Sequence, residues 1–126
     1  MNSWNLRTLD VQSQQPQILS TSDESRAIAL HLQAGEELQE HQVYERAWLI
    51  VADGEVDVTT ADEEHVGAGP GWFFEFAPNE RRTVQARSDA RLLLLLTPWP
   101  GEGHPGGLTL EQKSSARQDA AERARR

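Results

Sequence analysis

The chain has 126 residues, a formal net charge of −8 and no cysteine. This length supports one domain with a substantial core, and the lack of cysteine excludes disulfides and thiolate metal sites. The acidic balance argues against a nucleic-acid partner, because phosphate binding needs clustered Lys and Arg. No apolar run approaches the length of a membrane span, and the first residues lack the apolar stretch of a signal peptide, so we expect a cytoplasmic protein with no membrane contact.

The first half of the chain alternates between polar turns and short apolar runs. Residues 1–24 are polar, and Ile18-Leu19 is compatible with an edge strand within this N-terminal arm. Residues 25–33 alternate between apolar and polar side chains, which predicts a half-buried strand with His31 opposite its apolar face. A surface or interface histidine is the commoner role for such a residue, and a ligand the rarer one. Asp53-Gly54 is a strong signal for a tight turn between strands.

The second half continues with short strands. The aromatic run 72–76 predicts a strand, the segment 81–86 another, and 92–97 a strand covered on both faces. Residues 99–126 begin with a Gly/Pro-rich loop and continue as a polar helix or disordered tail. These breaks predict an all-β antiparallel sandwich or barrel over residues 25–98.

The stretch 35–54 resembles the first motif of the cupin superfamily. That motif is a glycine, five residues, His-x-His, three or four residues, a glutamate, six residues and a glycine. Gly35, His41 and Gly54 fall in register. Val43 occupies the position of the second histidine, and Ala47 that of the glutamate.

A second stretch resembles the other cupin motif, in which a glycine and a strand precede Pro-x-Gly, two residues and a histidine. Gly71 and Pro78 match it, with one residue more than the strict spacing. Glu80 stands at the glycine position and Thr83 at the histidine position.

The resemblance implies a small single-domain type-2 cupin, with the RmlC-like jelly roll or double-stranded β-helix and a short C-terminal helix or tail. The motif register predicts an inner barrel face formed by Leu30, Leu32, His41, Val43, Leu49, Val51 and Thr83.

Most of the metal chemistry of such a barrel is missing. Cupin metal sites combine three imidazoles with a carboxylate and hold Fe, Mn, Ni or Zn. His41 alone remains at a motif position, so we expect no metal cofactor. Glu45 would add a second ligand if it shares the inward face of Ala47. The alternative is therefore a metal-dependent enzyme of the dioxygenase or isomerase type, with a non-standard site completed by Glu45 or His31.

The sequence accordingly favours a cupin-domain protein that binds a small molecule in the barrel, and it identifies no catalytic residue. The candidate ligand-binding residues are His41, Val43, Glu45, Ala47, Arg81, Thr83 and Trp72.

Three of these candidates have competing interpretations. His41 would orient a ligand or act as an acid or base, or it is a leftover histidine bonded to a neighbour or water. Arg81 would help His41 hold a carboxylate, or it pairs with Glu80 or solvent. Trp72, like Tyr44, would line a pocket or belong to the core.

A homodimer is also predicted. Trp48 and Ile50 point away from the inward positions of their strand, and Leu93 and Leu95 oppose their neighbours in the segment 92–96. A monomer would leave these side chains as a contiguous apolar patch in water. Two-fold pairing through this patch is the common solution.

Overall fold

The structure is a computed structural model that describes residues 1–41 and 44–97, with the backbone alone for residues 39–41. Val43 and the predicted loop and tail at 99–126 lie outside the described residues. Within those residues, no helix is long and apolar enough to cross a membrane.

The described residues form nine β-strands. In chain order they are β1 (Gln17–Thr21), β2 (Arg26–Leu32), β3 (Glu37–His41), β4 (Arg46–Asp53), β5 (Val56–Thr60), β6 (His65–Ala68), β7 (Phe73–Phe76), β8 (Arg82–Ala86) and β9 (Ala90–Thr97). β1 contains Ile18 and Leu19, where the sequence is compatible with an edge strand.

The strands pair into two antiparallel sheets. One has five strands in the order β1-β2-β9-β4-β7, and the other has four in the order β3-β8-β5-β6. Successive strands alternate between the two sheets from β2 to β5 and again from β6 to β9, as in a jelly roll, whereas β1–β2 and β5–β6 pair within one sheet. The predicted antiparallel jelly-roll barrel is confirmed.

The core lies between the two sheets and is built from alternate residues of each strand. On β4 Ala47, Leu49 and Val51 are buried, whereas Trp48 and Ile50 are half-buried on the outer face. β9 repeats this pattern, with its even-numbered leucines inside. Leu30 and Leu32 are also buried, as the sequence predicts.

The predicted inward position of Thr83 is wrong. On β8 Arg82, Val84 and Ala86 are buried, and Thr83 lies on the opposite, half-buried side. β8 pairs with β5 so that Val84 stands beside Val58. Because side chains alternate along a strand, a shift of one residue moves the whole set to the other face. Arg81, which the sequence offers as a partner of His41 in holding a carboxylate, is exposed and precedes the strand.

His31 ties the N-terminal arm to the outside of the barrel. Its Nδ1 lies 2.9 Å from the carbonyl oxygen of Val11, and its Nε2 lies 2.9 Å from Oδ1 of Asp89. Both partners are acceptors, so both contacts are made when both ring nitrogens carry a proton. Arg91 donates to the carbonyl oxygen of Leu9 nearby. His31 therefore serves the arm and does not point into the barrel.

The turn after β4 requires glycine. Gly54 has a φ of 79°, in the left-handed region. A Cβ at this position would lie 2.1 Å from the carbonyl oxygen of Asp89 and 2.6 Å from the Cα of Ala90. The turn thus packs directly on the backbone that begins β9, which explains the Asp-Gly pair in the sequence.

Candidate ligand site in the barrel

An arginine occupies the barrel interior. Arg82 begins β8, and its backbone pairs with Thr60 of β5 and His41 of β3. Its side chain points to the same side as Val84 and Ala86, and the residue is 2% exposed. Arginine is almost never buried to this degree without a partner. This burial marks Arg82 as a candidate functional residue.

A tight turn precedes Arg82 and connects β7 to β8. The amide of Glu80 donates to the carbonyl oxygen of Ala77 at 3.0 Å, which closes a four-residue turn with Pro78 at its second position. Asn79 follows in the left-handed region with a φ of 66°, a combination typical of a type II turn. The Glu80 carboxylate also accepts a hydrogen bond from the amide of Ala77 at 2.9 Å.

The guanidinium of Arg82 lacks the hydrogen-bond partners that its burial requires. Nη1 and Nη2 are both buried, and no described residue accepts a hydrogen bond from either. Its Cζ lies 4.9 Å from the centroid of the Phe76 ring, which is a cation–π contact. Two donors of a charged group thus lie inside the barrel with an aromatic face on one side.

Burial sets the protonation behaviour of this group. Removal from water lowers the pKa of Arg82 to about 10, against the opposing effects of Glu80 and Glu45. The side chain still carries its charge at neutral pH. The barrel therefore contains a permanent positive charge that its environment disfavours.

A row of aromatic rings leads from the surface to Arg82. Trp72 and Phe74 have ring centroids 6.0 Å apart, and Phe74 and Phe76 have centroids 6.2 Å apart, with planes inclined by 23° and 10°. Trp72 is 49% exposed, Phe74 is half-buried and Phe76 is buried. The row belongs to the inner side of β7, because Phe74 packs on the core.

Glu45 and Ala47 complete the described interior near this end of the barrel. Glu45 comes immediately before β4 and is 1% exposed, and Ala47 is fully buried. Ala47 stands beside Phe76 in the pairing of β4 with β7. The interior position that the sequence predicts for Glu45 therefore agrees with its burial.

The structure brings together only part of the predicted site. Glu45 and Ala47 are inside, whereas Thr83 lies on the other side of β8, and Tyr44 and Trp72 are partly exposed. The predicted strand 72–76 begins at Phe73, which leaves Trp72 in the preceding turn. The side chain of His41 is outside the described part of the structure.

Arg81 lies at a separate surface cavity. This cavity has a volume of about 340 Å³ and is lined by Thr60, Ala61, Asp62, Asn79, Glu80 and Arg81. Thr60 donates a hydrogen bond to Asp62, which lowers the pKa of that carboxyl group. Two carboxylates therefore border the cavity beside Arg81.

Sequence analysis missed Arg82, although a signal for it was present. Residues 82–86 read Arg-Thr-Val-Gln-Ala. Val84 and Ala86 mark the apolar side of this strand, and alternation assigns Arg82 to that side. The cupin motif assigned the inward position to Thr83, because its residue count starts at Pro78 and crosses the turn before β8.

No metal-binding group is found among the residues whose side chains the structure describes: no three His, Asp or Glu side chains come together there.

Comparisons with known proteins bear on the fold. No sequence-family model and no curated protein matches the chain. An RmlC-like cupin from Desulfovibrio desulfuricans superimposes with a TM-score of 0.71 and 20% identity, covering 78% of this chain and 97% of that one. The chain has the cupin fold. A cupin superfamily protein from Desulfitobacterium hafniense gives a TM-score of 0.67 at 14% identity over 76% of this chain and 90% of its own.

A third similar structure is the RmlC-like cupin family protein with a double-stranded β-helix fold from Methanocaldococcus jannaschii. Its TM-score is 0.64 at 19% identity, over 71% of this chain and 84% of that one. The recognition of a small RmlC-like cupin from two degenerate motifs is thus confirmed at the level of the fold. In this cupin barrel, Arg82 takes the inward position next to the motif position of the third histidine.

Proposed function

We propose that this cupin barrel binds a small organic molecule without a transition metal. The observation that carries the proposal is the buried Arg82, whose Nη1 and Nη2 have no acceptor among the described residues. An unsatisfied buried donor costs about 1–3 kcal/mol, and more when it is charged. A ligand that supplies acceptors would remove this cost.

The charge of Arg82 also disfavours a metal at the same place. A divalent cation about 6 Å from a guanidinium is repelled by roughly 5 kcal/mol at an effective dielectric constant of about 20. Ala47, at the motif position of the glutamate, supplies no donor atom, and it is fully buried. The interior therefore favours an acceptor-bearing ligand over a cation.

A metal titration separates this proposal from a metal-dependent cupin enzyme. Purified protein, stripped with chelator, is titrated by calorimetry with Zn²⁺, Ni²⁺, Mn²⁺ and Fe²⁺. We expect no stoichiometric binding tighter than about 100 μM, because imidazole and carboxylate ligands are too few at the motif positions.

Glu45→Ala is the matched control. Tight one-to-one binding that this substitution abolishes would contradict the proposal and would indicate a metal site completed by Glu45.

We further propose that two copies of the chain pair through the outer face of the five-stranded sheet. Phe73 is 56% exposed, and its ring lies 5.5 Å from that of Trp48 with planes inclined by 11°. Ile50, Leu93 and Leu95 are half-buried on the same face. Together these five side chains form an apolar patch of the kind that marks interfaces.

Light scattering tests the dimer. At micromolar concentration we expect a mass about twice that of the 14.1 kDa chain. Phe73→Glu places a charge at the most exposed side chain of the patch and should give the monomer mass. Trp4→Glu, at an exposed residue of the N-terminal arm, should leave the dimer intact. A monomeric unmodified protein would contradict this proposal.

A further inference from the structure

We propose that the barrel ligand is an aromatic or otherwise planar carboxylate, whose acid group is held by Nη1 and Nη2 of Arg82 and whose flat body lies along the row Trp72–Phe74–Phe76. This inference rests on the proposed function and narrows it to one chemical class. Arg82 anchors the acid group, and Trp72, Phe74 and Phe76 form an aromatic wall. None of these four residues stands at a defining position of the cupin motifs.

The two unpaired donors of Arg82 indicate which chemical group of the ligand binds there. Nη1 and Nη2 are the two parallel donors of the guanidinium fork, and both are buried without an acceptor among the described residues. A carboxylate matches this fork with two oxygens at once, and such paired, charge-assisted bonds are stronger than neutral ones. A single hydroxyl or amide oxygen would satisfy one donor and leave the other unpaired.

The aromatic row defines the body of the ligand. One face of Phe76 is covered by the guanidinium, so the carboxylate end of a ligand lies at the buried end of the row. Phe74 and Trp72 continue the row toward the surface over centroid steps of 6.2 and 6.0 Å. Nearly parallel rings in a row favour a flat apolar group over a hydrated one. The acid therefore points inward, and the body extends toward Trp72.

Glu45 limits the affinity for an anion. It is 1% exposed, and its charge, like that of Glu80, favours the charged form of Arg82. An incoming carboxylate meets the repulsion of Glu45 together with the attraction of Arg82. Removal of the Glu45 charge should therefore tighten the binding of acids and leave neutral molecules unaffected.

Benzoate and benzamide form the test pair, because they share a ring and differ in charge. Binding to the metal-free protein is measured by calorimetry and by ligand-detected NMR. We expect benzoate to bind at least about tenfold more tightly than benzamide. Arg82→Met should abolish this preference, Arg82→Lys should retain only part of it, and Glu45→Gln should strengthen benzoate binding several-fold. Acetate, which has no ring, should bind more weakly than benzoate.

Each contrary result has a distinct meaning. If benzamide binds as well as benzoate, or if Arg82→Met retains benzoate, the acid anchor is wrong while metal-free ligand binding stands. If acetate binds as tightly as benzoate, the assignment of Trp72, Phe74 and Phe76 as an aromatic wall is wrong. If neither aromatic probe binds at millimolar concentration, the inference is overturned as stated. A stoichiometric metal in the titration described above would instead overturn the proposed function itself.

Discussion

Replacing Arg82 with methionine is expected to stabilise the protein, by about 2 kcal/mol in the free energy of unfolding. The lowering of the Arg82 pKa to about 10, from the ordinary value of arginine, corresponds to roughly 3 kcal/mol of net cost for the charged form. That cost already includes the favourable effects of Glu80 and Glu45, since the pKa remains low in spite of them. Methionine keeps an unbranched apolar chain against Phe76 and removes the desolvated charge.

The sign of the pH dependence follows from the same shift. Between about pH 10 and the higher, ordinary pKa of arginine, the unfolded chain holds more protons on Arg82 than the folded chain does, so this group makes stability rise with pH there. Below about pH 10 both states are charged, and the full cost is present. The stabilisation by Arg82→Met should therefore be constant across neutral pH.

Denaturant unfolding at pH 7 measures the effect, and a thermal scan should show a midpoint raised by about 10 °C. Arg46→Met is the control: Arg46 pairs with Glu75 at 2.8 Å on the surface, with 41% of its side chain exposed. Its loss should change stability by less than about 1 kcal/mol. A destabilised Arg82→Met protein would show that Arg82 has a structural partner, and the role of its free donors in ligand binding would then be in doubt.

Gly54→Ala should destabilise the fold by roughly 4 kcal/mol. The new Cβ would lie 2.1 Å from the carbonyl oxygen of Asp89 and 2.6 Å from the Cα of Ala90, and both are backbone atoms. Backbone at the start of β9 has little room to move, because β9 is paired on both sides. The clash adds to the strain of a φ of 79° for a residue with a side chain.

Gly35→Ala separates these two contributions. Gly35 has a similar φ of 87°, but a Cβ there meets nothing within 4 Å. This variant should lose only about 1 kcal/mol, the cost of the left-handed conformation. Equal losses at the two positions, measured by urea unfolding, would contradict the close approach of the β4–β5 turn to β9.

The sequence predicted the sheets well because their chemistry is local. The alternation at residues 47–51 and 92–96 follows directly from strands with one buried face, and the structure shows that alternation. Asp53-Gly54 marked a turn whose glycine is required by a specific backbone contact. These signals depend on a few neighbouring residues, so a single sequence contains them.

The candidate site was harder to predict because it depends on register across a turn. The cupin motif counts residues from Pro78 to the expected histidine, and this count ended at Thr83. The structure begins β8 with Arg82 inward because Val84 and Ala86 must be buried beside Val58 and Val56 of β5. The strand pattern thus outweighed the motif count. The lack of acceptors for Nη1 and Nη2 among the described residues depends on three-dimensional surroundings, and no local pattern encodes it.

The position of β9 has a consequence for the way the chain reaches this fold. β9 is the last strand of the described residues, yet it lies at the centre of the five-stranded sheet, between β2 and β4. Its pairing with β2 joins Arg26 to Leu96, across most of the described residues. Contacts this distant in sequence make folding slow, because a long loop must close before they form. During translation, the edges of β2 and β4 that pair with β9 therefore stay unpaired until residue 97 has left the ribosome. The two-sheet domain completes its folding only after β9 has been translated.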